Sequence, residues 1–168
     1  MREVKLEELT KKIDPIVEAR NSCFLVTATD GTTVNTLTAG WFMLGNNWEK
    51  KVAAVFIRPQ RHTKKFIDAS GRFTLSFFEN HNDALMYLGT HSGADVPDKI
   101  EKSGLHLTQI DGQPAYEEAK YTLICKAIYV QPVLPENFID PELPKQMYPD
   151  EDYSIQYVAE IEKVYEAE

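Results

Sequence analysis

The sequence predicts a mainly β chain, an antiparallel barrel decorated by short helices. Six segments carry strand patterning, from SCFLVTATD near the start to DYSIQYVAEIEKVY near the end. The helical stretches between them are short, whereas a doubly wound parallel sheet needs longer crossover helices. Turn residues such as Asp30-Gly31 and GNNW separate neighbouring apolar runs, as antiparallel connections require.

In chain order, Leu6, Leu9 and Ile13 recur at helical spacing and Pro15 closes that helix. SCFLVTATD and TVNTLTAGWFML flank Asp30-Gly31 and read as a hairpin. KVAAVFIR follows the GNNW turn, and its nearly continuous apolar run predicts a strand covered on both faces. HTKKFIDASG reads as a short helix, with Thr63 as N-cap, Phe66 and Ile67 buried, and Gly71 as the stop. RFTLSFF is the next strand. NDALMYLGT is a helix capped by Asn82 or Asp83, and DKIEKSGL is a further turn or two ended by Gly104. YTLICKAIYVQPV and DYSIQYVAEIEKVY are the last strands. Pro135, Pro141, Pro144 and Pro149 argue against any regular element in the excursion between them, and such excursions are often functional or contact a partner.

Composition narrows the function. A hydrophobic share of 43% with 11% aromatics sets aside disorder. The excess of 26 acidic over 18 basic residues, a net charge of -8, repels a phosphate backbone and argues against nucleic acid. Cys23 and Cys125 lie in apolar runs without a CxxC partner, which predicts buried reduced thiols. The charged N-terminus lacks a signal-peptide core and no apolar run reaches membrane-spanning length, so the expected location is the cytoplasm, away from membranes. The four histidines are dispersed, predicting no metal site, and no GxGxxG, GxxxxGK[ST] or GxSxG motif is present. Ser92, beside His91, reads as a Ser-Gly turn, and no catalytic residue can be assigned from pattern alone.

Two stretches carry chemistry. In FIRPQRHTKKF, residues 56–66, a strand delivers Arg58, Pro59 turns the chain, and Thr63 opens a helix. Arg58, Arg61, the Thr63 hydroxyl and the helix start could converge on one phosphate. A solvated, salt-bridged turn explains the same residues about as well. In NTLTAGW, residues 35–41, Asn35, Thr36 and Thr38 fit half-exposed sheet positions. Gly40 and Trp41 would equally allow close approach by a planar heteroaromatic molecule.

Taken in order, NTLTAGWFMLG, WEKKVAAVFIRPQRHTKKFI, GRFTLSFF and LGTHSGADVPDKIEKSGL resemble the flavin reductase-like family of FMN-binding split β-barrels. The resemblance implies one domain over residues 1–168 with its core at about 20–165, a Greek-key antiparallel split barrel, and a homodimer holding FMN near the subunit interface. It places the strand with Asn35, Thr36, Thr38, Ala39, Gly40 and Trp41 along the flavin ring. It assigns Arg58, Arg61 and Thr63 to the phosphate, with Gln60 and His62 lining that loop, and brings Ser92 and Lys99 of SGADVPDK to the flavin. The implied activity is that of an oxidoreductase: a flavin reductase with NAD(P)H as electron donor, or a flavoredoxin-like carrier serving a redox protein partner. A non-catalytic flavin-binding or interaction protein on the same barrel is the alternative. Two departures stand out: Ala94 replaces a basic residue after Ser-Gly, and Ser154 falls where nicotinamide-using members carry a histidine.

Overall fold

The computed structural model describes residues 1–12 and 23–168, and the predicted helix positions Ile13 and Pro15 lie outside them. Ten strands are described: β1 (Arg2–Val4), β2 (Phe24–Thr29), β3 (Val34–Ala39), β4 (Phe42–Asn47), β5 (Lys50–Ile57), β6 (Arg72–Phe77), β7 (Leu107–Ile110), β8 (Gln113–Tyr116), β9 (Tyr121–Pro132) and β10 (Ile155–Glu166). Among them run short helices α1 (Leu6–Leu9), α2 (Lys64–Ser70), α3 (Asn82–Thr90), α4 (Lys99–Lys102) and α5 (Glu142–Met147), with a 3-10 turn at Pro135–Asn137. The main sheet runs β3-β2-β6-β9-β10-β5-β4, with β1 added on β10, and β7 and β8 form a separate hairpin. Every pairing is antiparallel, as in a split barrel.

The barrel closes around Phe24, Val26, Ala53, Val55, Ile57, Phe73, Leu75, Leu123, Tyr157 and Ala159, all at most 1% exposed. On β5 the alternation works as follows: Ala53, Val55 and Ile57 face this interior, while Val52 and Ala54 join Val158 in a small cluster on the outer face. The near-continuous apolar run therefore reports burial on both faces, as predicted. A third cluster, including Leu25, Leu85, Leu88 and Tyr116, seats α3 and the β7–β8 hairpin against β2.

Several expectations need correcting. The segment from Val34 to Leu44 is two strands, broken at Gly40 and Trp41, which moves the chain from one sheet edge, β3, to the other, β4. The turn after β4 falls at Trp48 and Glu49, both at positive φ, so it takes in only the last residue of GNNW while Gly45, Asn46 and Asn47 stay in the strand. Phe42 and Leu44 pack against the core, so the inward register is set by side chains and pushes the turn onto less suited residues. Cys23 is exposed, whereas Cys125 is buried as expected. Thr63 flanks α2 without a side-chain capping bond, and His81, not Asn82 or Asp83, flanks α3. The Pro-rich excursion does hold α5. Pro141 precedes its first residue and Pro144 sits in its first turn, where a missing N–H costs no intrahelical bond. The short strands β1, β7 and β8 carried too little pattern to be read from sequence. No helix of the described residues is long and apolar enough to cross a membrane.

Candidate functional site: a two-part groove beside the sheet edge

Because β3 pairs only with β2, one row of its backbone groups is left for something other than a strand. Two cavities lie along it. The first, about 150 Å³, is lined by Asn35, Thr36 and Leu37 from β3, by Gln60 to Thr63, by Gly89 to Gly93 at the end of α3, and by Lys99. The second, about 180 Å³, is lined by Leu37 to Trp41, Phe56 to Arg58, Arg61 and Ser154. Leu37 and Arg61 belong to both walls, so the cavities form one groove in two parts. Every residue predicted for the site lines one part or the other.

The first part is cationic. Lys99 is 2% exposed, and its Nζ donates to the carbonyls of Leu88 at 3.2 Å and His91 at 2.8 Å. Burial, with the nearby Arg61 charge, pushes its pKa down to about 8. Arg61 donates to the Gly89 carbonyl at 2.8 Å, and burial followed by the charge of Arg58 moves its pKa down as well. Among the described residues no carboxylate pairs with either cation. His62, packed edge-on against Phe66, is held below its usual range by burial, then by Lys65 and Lys99.

Neutral donors and a close approach complete this part. Asn35 Nδ2 donates to Thr63 Oγ1 at 3.2 Å, and both residues are buried. A Cβ added to Gly93 would lie 2.2 Å from Asn35 Oδ1, so only glycine lets this loop reach β3. Ser92 Oγ accepts the Ala94 N–H at 3.2 Å, making the predicted Ser-Gly turn. Two amides at the start of α2 are used internally: the Lys64 N–H donates to Arg61 O at 3.0 Å and the Phe66 N–H to Thr63 O at 3.0 Å. The buried Lys99 and the half-buried Arg61, rather than these two backbone donors, give this part its positive charge.

Arg58 stands apart from the other proposed phosphate ligands. It lies in the second part, where its guanidinium pairs with Asp152, donates to the Met147 carbonyl at 2.8 Å, and sits 5.2 Å from the Tyr148 ring and 5.9 Å from Trp41. Gln60 reinforces this latch through a 2.6 Å bond to Asp152. Thus half of the salt-bridged-turn reading holds for Arg58 and fails for Arg61. The Pro-rich excursion is thereby tied over Trp41, which packs edge-on against Tyr148 with ring centroids 5.8 Å apart.

Threonine hydroxyls on β3 also turn away from the groove. Thr36 shares a 2.8 Å bond with Thr27, itself 3.2 Å from the Tyr116 hydroxyl, and Thr38 donates to the Leu85 carbonyl at 2.6 Å. They anchor β3 to its neighbours and leave its backbone edge as the usable surface. Sequence reasoning did not assign Leu37, Gly89, Thr90, His91 and Gly93 in the first part or Phe56 and Ile57 in the second, and it named Ser154 only as standing where nicotinamide-using members of the family carry a histidine. Of these, only the Ser-Gly pair in THSG carried a usable signal, as a turn able to approach another strand.

Fold and groove together define a class, the antiparallel split β-barrel with a cationic groove along a free sheet edge. Comparison with known proteins makes this specific. Residues 20–139 match the model of the flavin reductase like domain, and the chain belongs to that family. An uncharacterized protein of Aeropyrum pernix is 30% identical over 122 residues, 71% of this chain. The match spans only 44% of that relative, less than half its length. Among solved structures, an FMN-binding domain of a flavin reductases-like enzyme from Shewanella baltica matches with a TM-score of 0.66 at 19% identity, covering 92% of this chain and 75% of its own. Flavoredoxin from Methanosarcina acetivorans gives 0.67 at 18%, covering 87% and 68%. Flavoredoxin of Desulfovibrio vulgaris gives 0.66 at 23%, covering 87% and 69%.

Proposed function

We propose that this protein is an FMN-binding oxidoreductase whose groove holds the phosphate in its cationic part and the ring in its aromatic part. The observation that carries this reading is the pair Arg61 and Lys99, two cations in one cavity wall with no carboxylate partner among the described residues. A fully buried cation such as Lys99 is otherwise paired or neutralised, and with the half-buried Arg61 beside it the site suits an anion of about one phosphate in size. Asn35, Thr63 and the turn at Ser92 would add neutral contacts to it. Gly40 and Trp41 open a flat, apolar wall along the β3 edge, suited to a planar ring. Bound FMN would supply the one- or two-electron chemistry. The chain's own residues would bind, orient and shield the group, with Lys99 and Arg61 balancing the phosphate charge.

A homodimer is part of the same proposal. Met43, Ala54, Val158 and Tyr129 are successive cross-strand partners on the outer face of β4, β5, β10 and β9. Met43 is 53% exposed, and Trp48, 56% exposed, stacks near Tyr129. Exposed Met43, Trp48 and Tyr129, above the buried Ala54 and Val158, suit a second copy of the chain.

Titrating flavin-free protein with FMN tests the reading. Saturable binding, weakened at least tenfold by Arg61→Ala, is expected, and no binding by the unaltered protein would refute it. Anaerobic mixing of the loaded protein with NADH or NADPH then separates two activities. Bleaching marks a reductase; a flavin reduced only by a protein donor marks a carrier. Ser154, a neutral hydroxyl in place of the family histidine, favours the carrier.

A further inference from the structure

Ser154 precedes β10, and the pairing of Ile155 with Ile57 sets it beside the β5 end that delivers Arg58. It is fully buried, and its Oγ is the one buried side-chain polar atom without a hydrogen-bond partner among the described residues. Its own carbonyl accepts the Val133 N–H at 2.9 Å, so that acceptor is satisfied while the hydroxyl is not. Yet Ser154 belongs to the wall of the second cavity, with Thr38, Gly40, Trp41, Arg58 and Arg61.

The other polar side chains of that wall are committed elsewhere. Thr38 donates to Leu85 O, Arg58 to Asp152 and Met147 O, and Arg61 to Gly89 O. Trp41 packs on Tyr148. A buried hydroxyl left without a partner is costly and correspondingly rare in folded proteins. Alanine at this position would keep the packing and avoid the cost, so the hydroxyl has a use that the free protein does not supply.

We propose that Ser154 is a ligand-contacting residue of the aromatic part of the groove, its O–H donating to an acceptor atom on the rim of the bound planar ring. The inference rests on the flavin reading and deepens it. The isoalloxazine rim carries carbonyl oxygens and ring nitrogens able to accept this bond. In the ligand-bound state the ring would satisfy the serine; in the free state the chain itself offers it no partner. Ser154 thereby favours a ring with an acceptor on its edge over a plain apolar one, which makes it a specificity determinant as well as a contact.

The experiment compares unaltered protein with Ser154→Ala, both flavin-free, titrated with FMN and followed by flavin fluorescence and absorption. The expected result is a Kd about tenfold higher for the variant, equivalent to about 1.4 kcal/mol. A shift in the visible absorption bands of the bound flavin should accompany it. The flavin-free variant should melt at the same temperature or higher, because an unsatisfied hydroxyl has been removed. Equal Kd values and identical spectra for the two proteins would overturn the proposal, leaving Ser154 to hold a water only. A lower melting temperature of the flavin-free variant together with an unchanged spectrum would equally overturn it in favour of a structural role. Unaltered protein that binds no FMN overturns the flavin reading and this inference with it, whereas binding indifferent to Ser154 overturns this inference alone.

Discussion

Lys99 offers a quantitative test because its charge is poised within a convenient pH range. Its ammonium is buried at the edge of the cationic cavity, bonded only to carbonyls, and burial and Arg61 push its pKa down to about 8 from the ordinary 10.5. In the free protein this is a cost. The folded form gives up its proton near pH 8 while the unfolded form holds it to 10.5, so Lys99 makes the free protein more stable as pH rises through that interval. A bound phosphate reverses the balance by favouring the charged ammonium. The second pKa of a phosphate lies near 6, below this range, and burial, with Lys65 and Lys99, moves His62 further down and away from it. Between pH 7 and 9.5 the protonated fraction of Lys99 falls about thirtyfold, and if the bound state keeps the proton, the Kd for FMN rises by the same factor, at 1.36 kcal/mol per pH unit. Titration calorimetry in buffers of different ionisation heat should record uptake of nearly one proton at pH 9. Lys99→Arg should bind FMN with a flat profile, and Lys99→Met should bind weakly at every pH. A flat profile for the unaltered protein, or a slope that survives in Lys99→Arg, would refute the placement of the phosphate against Lys99.

Two further outcomes are expected. Gly93→Ala must displace Asn35, whose Oδ1 lies 2.2 Å from the new Cβ, and should destabilise the fold by about 1–3 kcal/mol in denaturant melts while weakening FMN binding; a variant equal to the original in both would show that the loop yields freely. Met43→Glu, at a half-exposed position the single chain tolerates, should convert a homodimer to monomers by light scattering. A monomeric starting protein, or a variant that stays dimeric, counts against the outer sheet face as the subunit contact.

Long strands and the C-terminal end of α2 were legible because each rests on a local cause: the continuous apolar run of β5, the apolar alternation of β6, the left-handed Gly71 that ends the helix. The β4–β5 turn was misplaced for a cause that is not local. Asn46 and Asn47 are better turn formers than Trp48 and Glu49, yet the inward demand of Phe42 and Leu44 decides the register. Cys23 reads as apolar in a string of letters but sits at the exposed start of β2. The four-residue strands β7 and β8 draw their stability from packing Tyr116 beneath Thr27, a contact 89 residues apart in the chain. No window-based pattern records it.

For the groove, residue type singled out two of the stretches and the family resemblance added the one with Ser92 and Lys99, and every position so named lines one of its two parts. Strand ends and tight turns are local properties, and the cation cluster at 58–65 is visible in the letters themselves. Only the tertiary structure decided what each group does there. Arg58 and Arg61 are three residues apart and chemically identical, yet Asp152 neutralises one while nothing described neutralises the other. Likewise the hydroxyls of Thr36, Thr38 and Ser154 are equivalent in sequence. Two find partners within the fold and one does not. Whether a polar group serves the fold or remains available to a ligand depends on which atoms long-range pairing brings within about 3 Å of it, and that distance is set by the whole barrel.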